Sequence, residues 1–130
     1  MVTKEAIEKA RQRARAFFEA AHYDGVCTVT EHQKVKNERS KVTEFVDVVV
    51  LSDQPCHLSF ETIAKNQESE SASNVTQTTK LFIAPELTIK AGSKITVTQC
   101  GITTDYTHSG VPAVYDTHQE IILDLFEKWS

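Results

Sequence analysis

Between Asp24 and Gly25 the hydrophobic period changes from that of a helix to that of a strand, and this switch dictates most of what the chain can fold into. Before it, Ile7, Ala10, Ala14, Phe17, Phe18 and Ala21 fall in one stripe when wound as a helix. Thr3 is placed to cap that helix, Glu5 lies in its first turn where the dipole favours an anion, and Asp24-Gly25 ends it. A lone amphipathic helix is marginal in water, so the stripe should pack on the rest of the chain or on a neighbouring subunit. Beside the stripe runs a second row, Lys4, Arg11, Arg15 and His22. It reads either as a solvated edge with snorkelling stems or as a face that docks an acidic partner.

After Gly25 the residues alternate and become β-branched. Val26 to His32 and Lys41 to Leu51 read as strands around a polar turn at Lys36 to Ser40. The far end of the second strand, through Val48, Val49, Val50 and Leu51, is apolar on both faces and is expected to be buried on both sides. Ser52-Asp53-Gln54-Pro55 has turn chemistry, and Cys56 to Phe60 follows as a short strand with His57 on its polar face. Strands are expected again at Lys80 to Ala84, Leu87 to Lys90, Lys94 to Gln99, Ile102 to Tyr106 and Val111 to Tyr115. Gln119 to Phe126 reads as a last strand, with a short helix as the alternative. Cys100-Gly101 carries a hairpin signal. Short strands at regular spacing predict a mainly β fold, a small antiparallel barrel or sandwich with an N-terminal helix. At 130 residues the chain is expected to be one domain, with the helix over 1–22 and the β body over 25–126.

Glu61 to Thr79 differs in kind, being dominated by Glu, Ser, Thr, Asn and Gln. A loop of that length in a compact domain is uncommon unless it has a function or is disordered. Glu61, Lys65, Asn66, Glu68, Glu70, Asn74 and Thr79 are its candidate functional residues.

Charge narrows the possible partners. Residues 1–22 hold five Lys/Arg against three Asp/Glu, whereas 23–130 hold nine against fifteen. A body of that sign lacks the clustered cations that grip phosphates, so DNA that meets this chain is expected to pass without specific binding. No stretch approaches the length of a membrane helix, and 1–22 lacks the apolar run of a secretory signal. The expectation is synthesis in a cytoplasm and no membrane partner. Cys27, Cys56 and Cys100 contain no CxxC pair and read as small buried hydrophobes rather than as a disulfide framework or zinc site.

The densest set of reactive residue types is Asp105, His108, Ser109, Asp116 and His118. Ser109 precedes a turn glycine outside any GxSxG elbow, and turns collect such residues for backbone reasons. His108 and His118 lack HExxH or related ligand spacing, and the four glycines stand singly, without a phosphate-cradling loop. No catalytic residue, metal or cofactor is expected, and the chain is read as a non-enzyme.

Ile89-Lys-Ala-Gly-Ser-Lys-Ile-Thr-Val-Thr-Gln-Cys-Gly, then Asp105-Tyr106, Ser109-Gly110 and His118-Gln-Glu-Ile-Ile-Leu-Asp-Leu125, resemble the ending of head-closure and head-tail joining proteins of tailed bacteriophages. The likeness covers about the last fifty residues well and Cys27 to Phe60 more loosely. It implies a small β-barrel that assembles as a ring in the virion beneath the portal and its adaptor, holds packaged DNA in and meets the tail. It also implies that Glu61 to Thr79, matched by position and length, projects into the channel. The alternative is a stand-alone barrel that binds a peptide, a ligand or single-stranded nucleic acid, which would need aromatic and basic residues interleaved on strands.

Overall fold

A computed structural model of the chain describes residues 2–64 and 75–129. Helix α1 spans Lys4–His22. Thr3 caps it as its sequence position suggested: its backbone is extended and its hydroxyl accepts the Ala6 N–H at 3.1 Å. Seven strands follow, β1 Gly25–Lys36, β2 Thr43–Ala64, β3 Val75–Ile83, β4 Lys94–Gln99, β5 Ile102–Thr107, β6 Ala113–Val114 and β7 Gln119–Leu125. They pair antiparallel in the order β3-β2-β1-β4-β5-β7-β6, and β3 also pairs with β7, so the sheet curls back on itself. The seam between β5 and β7 holds only the pairs Tyr106↔Leu125 and Thr107↔Asp124, which leaves the barrel incompletely closed. The fold is mainly β with one N-terminal helix, as the change of period implies.

The core follows from the alternation. Val29, Leu81, Ile83, Ile95, Val97 and Ile121 point inward and are fully buried, with Cys27 and Cys56 among them. Each large aliphatic side chain so buried contributes about 1.5–3 kcal/mol. Gly25 starts β1 where strands crowd: a Cβ there would lie 3.2 Å from the Thr98 carbonyl and 3.3 Å from that of Cys56. Cys100 is the exception to the buried reading of the cysteines. It is exposed in the β4–β5 turn, where it and Gly101 both take positive φ, 53° and 75°. Gln99 pairs with Ile102, so the turn is a two-residue hairpin of the type that requires that backbone.

Several expectations are corrected. Ser52-Asp53-Gln54-Pro55 does not reverse the chain; it lies inside β2, a single strand of 22 residues. Its turn chemistry serves a bulge: Cys27 pairs with Gln54 but Val29 with Leu51, and Asp53 takes φ 48°. A second register shift follows, between Val29 and Thr30, and places Val49 opposite Thr30. Of Val48 to Leu51, expected to be buried on both sides, Val49 and Val50 are exposed and Val48 and Leu51 only half-buried. The reason lies in the pairing: β4 leaves β1 at Thr30↔Lys94 and β3 joins β2 only at Cys56↔Ile83, so among the described residues no third strand flanks the ribbon beyond these points.

Leu87 to Lys90 is not a strand, although Ile89 is buried. Its backbone is satisfied by side chains instead of a ladder. Gln119 Nε2 donates to the Ala84 and Leu87 carbonyls, at 2.8 and 2.6 Å, and His108 Nε2 donates to that of Ile89 at 2.8 Å. Of Val111 to Tyr115 only Ala113–Val114 pairs, with Glu120 and Gln119. The polar segment is also shorter than its composition suggested. β2 and β3 stay paired from Cys56↔Ile83 to Ala64↔Val75, so Glu61 and Thr79 are strand residues. Threonine is β-branched and suits an exposed strand as well as it suits a loop. Lys65, Asn66, Glu68, Glu70 and Asn74 lie outside the described residues.

Candidate functional site

Two joints position the parts that could meet a partner. The first straps α1 to the barrel. The helix buries none of its residues, and Phe17 is 76% exposed, so the apolar stripe as a whole does not dock it. The contact runs along one edge. Phe18 stacks on His118, with ring centroids 4.5 Å apart and planes within 8°, and His118 also stacks on Phe82 and Tyr115. His118 is held by Glu120 at 3.0 Å through Nε2 and by Thr117 at 2.9 Å through Nδ1.

Half of the cationic row expected to dock a partner is engaged within the chain. Both Glu86 carboxylate oxygens accept from Arg15 Nη2, at 2.8 and 2.6 Å, and Arg11 lies 3.8 Å from Asp116. The Arg15 guanidinium holds the Glu86 carboxyl below the usual carboxylate range, and the same hydrogen bond raises Arg15. His22 stacks on Phe18 at 4.5 Å, and Lys4 is exposed. Within the row, Arg15 and, less closely, Arg11 are thus tied to the barrel, while Lys4 and His22 remain exposed. Near the end of the helix His57 and Asp24 share a 2.7 Å hydrogen bond, which lowers the Asp24 carboxyl.

The second joint lies at the root of the β1–β2 ribbon. His32 is sandwiched between Phe45, at 4.7 Å and 5°, and Trp129, at 4.8 Å and 11°, while its Nδ1 meets Asp47 at 2.8 Å. Phe126 packs edge-on against Trp129, and the Lys94 ammonium sits 5.4 Å from the Phe126 ring and 5.9 Å from that of Trp129. Beside the stack opens a cleft of about 590 Å³ lined by Glu31, Lys34, Phe45, Lys90, Ser93 and Trp129, among others. The Ser93 hydroxyl is buried there without a hydrogen-bond partner among the described residues. Sequence alone did not bring these groups together, because Trp129 lies beyond the last strand and no periodicity relates it to His32.

Asp105, His108, Ser109, Asp116 and His118 are not gathered into one constellation. Thr96 donates to Asp105 at 2.7 Å, His108 is buried on the Ile89 carbonyl, Asp116 faces Arg11, and Ser109 is exposed. Among the described residues no three His, Cys, Asp or Glu side chains are grouped to hold a metal ion. The hydrogen bond with Cys27 and then burial push the Cys56 thiol up in the core. No described helix is long and apolar enough to cross a membrane. Glu61 remains on the surface of the β2–β3 ribbon, where Lys80 lies 3.6 Å from it and 3.7 Å from Glu120.

No family model and no curated protein matches the chain. Among solved structures it is similar to the phage-like element PBSX protein xkdH from Bacillus subtilis, at 14% identity and a TM-score of 0.44, covering 77% of this chain and 91% of that one. A likeness of that size assigns neither family nor function.

Proposed function

We propose that the chain is a structural protein of a phage or prophage virion, a component of the head-tail connector that closes the portal channel and joins head to tail. The observation that carries this reading is the resemblance of the residues from Ile89 to Leu125 to the ending of head-tail joining proteins. The fold is compatible with it: those residues supply β4, β5 and β7, three neighbouring strands of a small barrel. The β2–β3 ribbon, whose pairing runs on past the barrel seam to Ala64↔Val75, is the element that would reach a channel. In this role the protein works through contacts with copies of itself, with portal or adaptor and tail proteins, and with DNA that slides past an acidic body. Electron microscopy of particles made without this chain tests it. The expected product is filled or leaking heads separate from free tails; infectious tailed particles with normal DNA content would refute it.

The root of the ribbon favours a second reading. Phe45, His32, Trp129 and Phe126 with Lys34, Lys90 and Lys94 supply the aromatic and basic mixture that a single-stranded nucleic acid or extended peptide uses. Fluorescence anisotropy of a labelled oligonucleotide, with Lys90→Glu as control, separates this reading from the first. Saturable, salt-sensitive binding that the substitution abolishes would favour it.

A further inference from the structure

We infer that the β1–β2 ribbon is an arm that docks on a second copy of this chain, head to tail, against the open edge of β5 and the adjoining end of β7. The inference deepens the proposed function and rests on it for the ring into which such contacts would close.

The arm carries an apolar load that its own chain leaves uncovered. Val35, Val42, Phe45, Val46, Val49 and Val50 are all exposed. A two-stranded ribbon is marginally stable by itself, and a long apolar edge strand invites pairing. Here both edges are unflanked among the described residues, and the root is fixed by the His32–Phe45–Trp129 stack. An element anchored at its root and apolar along its length is built to be covered by something.

Charge identifies what covers it. Residues 34–41, the end of the arm, hold four Lys/Arg against one Glu, while the rest of 23–130 holds five against fourteen. The complementary surface is on the same chain. Among the described residues β5 leaves the edge of Ile102–Thr104 unpaired on its β7 side, since the seam begins at Tyr106 and the backbone bond to Phe126 at Asp105. Ile102, about two-thirds exposed, lies on that edge next to Asp105, while Leu125, equally exposed, and Asp124 stand at the adjoining end of β7, with Glu127 just beyond it. Asp124 and Glu127 make no ion pair among the described residues. An apolar ribbon with a basic tip, neutral over 31–48 as a whole, and an open edge flanked by Asp105, Asp124 and Glu127 therefore lie on different strands of one molecule. Two unlike surfaces that fit each other give a heterologous contact, which propagates from copy to copy and closes into a ring when its rotation allows.

Sedimentation velocity over rising concentration, with backbone NMR of the arm, tests the inference. Wild type is expected to associate, more weakly at high salt, with shifts at Val46, Val49 and around Ile102 and Asp124. Val46→Lys with Val49→Lys should weaken association at least about tenfold. Both sites are exposed, so the monomer's melting temperature should hold. Lys36→Glu with Arg39→Glu should also weaken it, and mixing that variant with Asp124→Lys, Glu127→Lys should restore it. Three results would overturn the inference: association unaffected by the arm substitutions, shifts confined to the arm as in a symmetric arm-to-arm dimer, or a monomer without shifts at millimolar concentration. Location in particles separates the two claims. If the arm variants enter virions in normal number, the arm inference fails while the connector reading stands; if the copies associate as described and the protein is absent from virions, the connector reading fails alone.

Discussion

Cys100 occupies the first position of a turn that favours Asn, because that backbone has positive φ and Asn tolerates it better than most residues. Cys100→Asn is expected to stabilise the fold by about 0.5–1 kcal/mol, read as a rise in melting temperature; a fall would show that the thiol packs in a way its exposure does not suggest. Gly25→Ala should act in the opposite sense. The added methyl meets backbone carbonyls on both sides, so the strands must part, at about 1–3 kcal/mol. Both turn residues were visible in the sequence, since Cys-Gly between alternating runs announces a hairpin. The exposure of Cys100 was not, because cysteine is usually buried and only the turn geometry puts it outside.

At the scale of elements, α1 shows how a correct helix can leave most of its apolar face uncovered. Its cap and limits were legible in the residues, yet of the apolar stripe Phe18 carries the aromatic contact to the barrel, joined by Arg15 from the neighbouring row. A stripe that is half alanine offers little area, so one aromatic stack, made by Phe18, and one ion pair, made by Arg15, hold the helix. Phe18→Ala should therefore release the helix from the barrel at a cost of about 1–2 kcal/mol. The readout is sharper amide signals for Lys4–His22 against unchanged barrel signals. Acid should loosen the same joint. The Glu86 carboxyl is lowered in the folded state, so its contribution is present above the ordinary carboxylate range and fades as pH falls through the lowered value. Glu86→Gln should remove that acid dependence while changing neutral-pH stability by about 1 kcal/mol or less. A helix that stays equally attached from pH 5 to about pH 2 in the wild type would contradict it.

On the scale of the whole molecule, stability is unevenly distributed. The barrel strands share a core around Leu81, Ile83, Ile95 and Ile121, whereas among the described residues the ribbon past Thr30 has neither a third strand nor a buried face. Hydrogen exchange of the dilute monomer should show strong protection in β3, β4 and β7 and weak protection in 31–48. Equal protection would mean that the ribbon is stabilised by more than its own pairing. The reading of Val48 to Leu51 as doubly buried failed for the same reason. A run of valines demands burial, and sequence cannot say whether the covering surface belongs to the same molecule. The barrel itself was legible because alternation is a local property; the continuity of β2 through Asp53 was not, because a bulge and a turn draw on the same residues.

The chain has one tryptophan, Trp129, and it lies face to face with the His32 imidazole. An imidazole in that position quenches indole emission, and separating the two rings brightens it. The protein thus carries its own optical gauge at the base of the ribbon, and an event that pries the C-terminal segment from that base will announce itself as light without any attached dye.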